Sequence, residues 1–125
     1  MRLTFVQIGV FVLQWKRMKL TDEDLQALEE QIAQNPNAGA VMTGTGGLRK
    51  LRFAPPSWNT GRSGATRVCY VHIVRARAVG LVAIFAKNVK ENMSAAEMAQ
   101  AAKMVKLIRE SFATEDENNE DQNAE

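Results

Sequence analysis

The chain is poor in the residues that bind metals and form cross-links: cysteine and histidine occur once each, as Cys69 and His72. A single cysteine cannot close an intramolecular disulfide, and together with one histidine it cannot build a Cys/His metal cage. No metal or other cofactor is expected, and a reducing, cytoplasmic setting is the default. Aromatic residues are scarce too, at 6%, with Tyr70 the only tyrosine. Long apolar runs are absent. The N-terminal MRLTFVQIGVFVLQWKRM is broken by Gln7 and Gln14, has no small-residue cleavage site after it, and is too short to span a membrane. It reads as folded structure, and no membrane partner is expected. The Asn92-Met93-Ser94 sequon carries no weight without secretion.

What is present is cationic. The 125 residues, 46% hydrophobic and 24% charged, fit one globular domain with a modest core. The net charge of +2 conceals a segregation, because residues 115–125 (EDENNEDQNAE) hold six acids and no base. Residues 1–114 therefore carry +8, and from Arg49 to Arg109 twelve bases stand against two acids, Glu91 and Glu97. Such a surplus draws a polyanion or an acidic protein.

Leu3 to Ile8 suits a short strand. After Gly9, Phe11, Trp15 and Met18 recur at helical spacing. Thr21, followed by Asp22, Glu23 and Asp24, is a capping box that opens a clearer helix, with Leu25, Leu28 and Ile32 as its buried stripe and Asn35-Pro36 as its end. Residues 37–47 read as a glycine-rich connection. Strands follow at about 48–54, 65–75 and 78–87, the last two joined as a hairpin, with PPSWNTGRSGA (55–65) as a loop. Ser94 and Glu97 cap a helix with Met98, Ala102, Val105, Ile108 and Phe112 at intervals of three and four. The expected fold is α+β: a small antiparallel sheet of about four strands with helices packed on one face. One domain is expected over 1–112, followed by a disordered acidic tail, 113–125.

The strand LRKLRF (48–53) carries Arg49, Lys50 and Arg52, and cations buried in a small domain are costly unless an anion meets them. Alternation puts Lys50 and Arg52 on one face and Leu51 and Phe53 on the other. The apolar pair belongs against the helices, which leaves Lys50 and Arg52 on the open face. In the next strand Val68, Tyr70 and Val74 fit the covered face, so Arg67 falls on the open one. His72 alternates with the covered set and reads as a core histidine. Lys87 closes the fourth strand, Lys90 lies just beyond it, and the loop supplies Arg62.

Four runs in order, LTDEDLQALEEQIAQNPNAG (20–39), GTGGLRKLRFAPP (44–56), GRSGATRVCYV (61–71) and FAKNVKENMSAAE (85–97), resemble the RelE/HigB branch of bacterial type II toxin–antitoxin toxins, within the RelE/ParE superfamily. The resemblance covers about residues 3–110. It implies a RelE-like fold and a ribosome-dependent mRNA endoribonuclease that needs no metal. It also implies neutralisation by a cognate antitoxin, often of helix-turn-helix type in this branch. Matched by position, it places Lys50 and Arg52 where related toxins carry catalytic lysines, Arg67 at the scissile phosphate, and Lys87 beside it. Arg49, Arg62 and Lys90 are then RNA contacts. The chain departs from the pattern at Phe85, where many relatives have tyrosine. It also has no tyrosine in KNVKENMSAAE, and its glycine-rich loop reads GRSG, with the charge kept by Arg62.

Such chemistry needs neither histidine nor metal. RNA brings its own nucleophile, the 2′-OH, and the protein must align it, take its proton and stabilise the extra charge of the phosphorane. Arg67 and Arg52 suit the charge, since guanidinium forks match phosphate oxygens. Lys50, with Arg52 and Arg67 around it, is the candidate base, and Lys87 the candidate acid. Two other classes compete. A ParE-like toxin would inhibit DNA gyrase by protein contacts without nuclease activity; the concentration of cations on one face favours RNA. A non-enzymatic RNA-binding module would need stacking aromatics on that face, where only Phe85 is available. Trp58 closes the end of the core in the simplest reading. The acidic tail is a solubilising segment, or alternatively folds back over the cations.

Overall fold

The computed structural model describes residues 2–58, 66–87 and 92–116. In chain order it holds β1 (Thr4–Gln7), α1 (Gly9–Arg17), α2 (Asp22–Gln34), β2 (Ala40–Val41), β3 (Leu48–Phe53), a 3-10 turn at Pro56–Trp58, β4 (Thr66–Ile73), β5 (Ala78–Ala86) and α3 (Ala95–Asp116). The five strands form one sheet in the order β1-β5-β4-β3-β2. The α+β class is as expected, and the sheet gains a strand at its far edge. That strand, β2, is only two residues long and lies in the stretch read as a connection, too short for any period to mark it. The sheet is also mixed, because β1 runs parallel to β5 while the other pairs are antiparallel.

The placement of the helices differs from the expectation. Helices α1 and α2 bury Phe11, Trp15, Leu28 and Ile32 against Phe53, Val68, Tyr70, Val79, Leu81 and Ile84 on one face of the sheet. The third helix lies on the other face, with Ala101, Val105 and Ile108 against Leu48, Cys69, Val71, Val82, Ala83 and Phe85. The physical cause is β5, AVGLVAIFA, whose side chains are apolar in both directions, so that each face needs a cover. Gly80 permits the close approach of α3: a Cβ there would sit 3.0 Å from Ile108 Cδ1 and 3.1 Å from Val71 Cγ1. A β-bulge accompanies it. Cys69 pairs with Ala83 and Tyr70 with Leu81, so Val82 is the extra residue, and Val82 and Ala83 both join the cluster under α3.

Local capping follows the sequence closely. Thr21 Oγ1 accepts from Asp24 N at 3.1 Å, and Asp24 Oδ2 accepts from Thr21 N at 2.9 Å. Asp24 has a second task. It also accepts from Ser57 N at 3.0 Å and Ser57 Oγ at 2.5 Å, which ties the start of α2 to the 3-10 turn and leaves Asp24 fully buried. Opposite, Arg109 donates through Nε (3.1 Å) and Nη2 (2.9 Å) to Gly46 O, fastening α3 to the β2–β3 turn. Helix α3 continues to Asp116, past the expected domain end at 112. Residues 117–125 of the acidic tail lie outside the described residues. Val74, expected on the covered face, follows the end of β4 in a turn and is 66% exposed.

Burial pushes the Asp24 carboxyl up, but the hydrogen bonds from Ser57 and Thr21 outweigh it, and its pKa lies below the ordinary 3.8. The contacts are thus present above the ordinary carboxylate pKa and lost as pH falls through the lower native value. Replacing Asp24 by alanine is expected to cost about 2 kcal/mol at neutral pH. In urea titrations the gap between Asp24→Ala and the unsubstituted chain should narrow as pH falls below 3.8.

Candidate nucleic-acid interface

Cross-strand register gathers the cations. On β3, Lys50 and Arg52 lie on the same face as Leu48, the α3 side; on β4, Arg67 lies on the face of Cys69 and Val71. Arg52 pairs directly with Arg67, and Arg67 with Phe85 on β5, so a row runs Arg52–Arg67–Phe85 across three strands. Lys50 pairs with Cys69, one step diagonally from Arg67. Lys87 follows the end of β5, two residues beyond Phe85. Directly opposed side chains on antiparallel strands sit about 5 Å apart at Cβ, and like charges there repel. The strands β3, β4 and β5 contain no Asp or Glu to offset them.

Their settings differ. Arg67 is 6% exposed and its Nη1 donates to Thr66 O at 3.2 Å, so the guanidinium is held rather than free to swing. Arg52 is exposed, while its backbone carbonyl accepts from Gln31 Nε2 of α2 at 2.9 Å. Half-buried Lys50 donates to the Oδ1 of Asn92, just before α3. Asn92 has no mark in the sequence beyond a sequon; a partner 42 positions away is not legible from spacing. Met93 completes the contact, its Sδ 3.7 Å from Cys69 Sγ.

Arg49 is not brought into this row. It lies on the opposite face, where its Nη1 donates to Asn37 O (2.9 Å) and Gly39 O (2.7 Å) and closes the α2–β2 connection. Tyr70 works at the same place: its hydroxyl donates to Pro36 O at 2.8 Å and accepts from Gly39 N at 3.1 Å. Fully buried there, with burial raising its pKa, Tyr70 is turned away from the cations. His72 is half-buried on that side, with Nδ1 2.9 Å from Asn37 Oδ1. Arg62 and Lys90 lie outside the described residues.

The fold has a counterpart among solved structures. A double arginine-to-alanine mutant of E. coli toxin RelE, in the free state, matches with a TM-score of 0.55 over 84% of this chain and 99% of that one, at 16% identity. The fold is RelE-like. No family model matches the chain. At this identity the likeness rests in the arrangement of strands and helices rather than in shared residues, and it shows the fold alone. Among the described residues no three His, Cys, Asp or Glu side chains cluster to hold a metal, and no helix is long and apolar enough to cross a membrane.

The sequence holds a single histidine, His72. Burial first, and then the charge of Arg49, lower the His72 pKa below 6.5. The neutral ring is favoured in the folded state, so the stability it confers is present above pH 6.5 and is lost as pH falls through the lower native value. Thermal unfolding of the chain should show this loss as pH falls below 6.5, and His72→Gln should remove that part of the pH dependence.

Proposed function

We propose that this chain is the toxin of a toxin–antitoxin pair and acts as a ribosome-dependent mRNA endoribonuclease of the RelE/HigB type. The observation that carries this reading is the row of Arg52 and Arg67, with Lys50 and Lys87 beside it, on one face of a RelE-like sheet whose central strands have no acid. A phosphodiester laid against that row offsets the repulsion between the opposed arginines. Arg67, restrained by its burial, orients the scissile phosphate, and the more exposed Arg52 takes up charge on the phosphorane. Lys50 takes the 2′-OH proton, and Lys87 protonates the departing 5′-oxygen. Both products follow from this transfer alone: a 2′,3′-cyclic phosphate and a free 5′-hydroxyl.

No cofactor enters this scheme. Lysines and arginines alone are a weak acid–base set, so the ribosome's role is to hold the mRNA in line for attack. In this reading the protein works in the cytoplasm, and a cognate antitoxin, of helix-turn-helix type, neutralises it by covering the same cations.

The test is a cell-free translation reaction with mRNA 5′-ends mapped by primer extension. Ribosome-dependent cuts are expected, and Arg67→Ala should reduce them at least about 100-fold, the usual cost of losing a transition-state donor. If Arg67→Ala and Lys50→Ala both cut within about twofold of the unsubstituted chain, the assigned site is wrong. Growth arrest without any cut would point to the ParE-like alternative, inhibition of DNA gyrase by protein contact.

A further inference from the structure

A groove of about 500 Å³ opens next to the cation row, and the fold explains why it is there. β1 pairs with β5 only as far as Gln7 and Leu81, whereas β5 continues to Ala86. Along that unpaired stretch α1 stands on one side and the first half of α3 on the other. The bulge turns both Val82 and Ala83 into the floor, with Phe85 at the end. The lining is mostly apolar, with Val10, Met93 and Met104 on the walls. Three polar side chains interrupt it: Glu97, whose Oε1 accepts from Ser94 N at 2.8 Å at the start of α3, and two amides on opposite walls. Gln14 accepts from Ile84 N at 2.9 Å through Oε1, which fixes the amide and leaves its Nε2 donor with no partner among the described residues. Gln100, exposed on α3, likewise has none.

Phe85 belongs to both features. It lines the groove and is the direct cross-strand partner of Arg67, so the groove's end lies about one strand spacing, 4.8 Å, from the residue assigned to the phosphate. We infer that the groove is a nucleobase seat: the base next to the scissile phosphate enters it, lies against Phe85 and Met93, and has its edge read by the amides of Gln14 and Gln100. Unstacked bases in single-stranded RNA are recognised in this way, by an apolar or aromatic surface for the ring and polar groups for the edge. A side-chain amide offers a donor and an acceptor together, which suits a base edge better than the lone cations nearby. The inference rests on the endoribonuclease reading and adds to it the residues that set sequence preference.

Two variants separate these ideas. Gln100→Leu removes an edge-reading amide from an exposed helical position, and Ala96→Trp fills the groove from another. In the cell-free reaction with mapped 5′-ends, both are expected to go on cutting but to redistribute the cuts. Preference for the favoured base flanking the cut should fall about fivefold, the worth of one hydrogen bond to its edge. Independently, nucleoside 5′-monophosphates titrated into the isolated chain should shift the methyl resonances of Ala83 and Met104, and Ala96→Trp should abolish those shifts. Unchanged cut distributions in both variants, with no nucleotide-induced shifts, overturn the inference while leaving the endoribonuclease reading in place. Variants that lose neutralisation by the antitoxin yet keep the original preferences also overturn it and assign the groove to that protein. If the unsubstituted chain cuts nothing, the endoribonuclease reading fails, and the nucleotide titration alone then decides whether the groove holds a base.

Discussion

Everything in this molecule is arranged around a strand that has to be covered on both sides. In β5 all but the last of nine residues are buried, and its pairing with β4 joins the two halves of the core. Each large apolar side chain withdrawn from water contributes roughly 1.5–3 kcal/mol. A strand with such side chains on both faces therefore stabilises the fold only if helices lie above and below it. Helices α1 and α2 supply one layer and α3 the other. The bulge at Val82 and the absence of a side chain at Gly80 are the local adjustments that let the second layer seat.

This sandwiching confines the cations. The α3 layer packs on the end of the sheet formed by Leu48, Val71 and Gly80, where Ile108 lies against Val71 and above Gly80. Lys50, Arg52 and Arg67 are carried on the same face toward the other end, next to the start of α3, where Asn92 and Met93 meet Lys50 and Cys69. A basic row thus lies at the margin of a hydrophobic contact, with one arginine nearly buried. Burying a cation is unfavourable for stability unless its charge is met, and this margin is where the proposed RNA contact would form. The apolar groove along β5 arises from the same geometry, at the place where β1 ends before its neighbour does.

The opposite face is devoted to closure. Arg49, Tyr70 and His72 converge on residues 36–39, where Arg49 and Tyr70 satisfy carbonyls and the N–H of buried Gly39 in the turn from α2 into β2, and His72 meets the Asn37 side chain. Adjacent residues of one basic strand therefore have separate work. Arg49 holds a loop, whereas Lys50 and Arg52 face the side proposed to meet RNA.

Much of this was legible in the residues themselves. Period-two alternation separated Lys50 and Arg52 from Leu51 and Phe53, and capping signals placed the starts of α2 and α3, because side-chain direction and caps are local properties of the backbone. The α+β class was also legible, from the order of elements. The side of the sheet that α3 covers, the parallel partner of β1 and the short β2 were not. They depend on which surfaces remain to be buried after the hairpin forms, and no single segment encodes that. The same holds for the contacts of the cations. Composition announced a basic surface, but only the folded sheet could set Arg52 opposite Arg67 and bring Asn92 to Lys50, since each contact joins residues far apart in the chain.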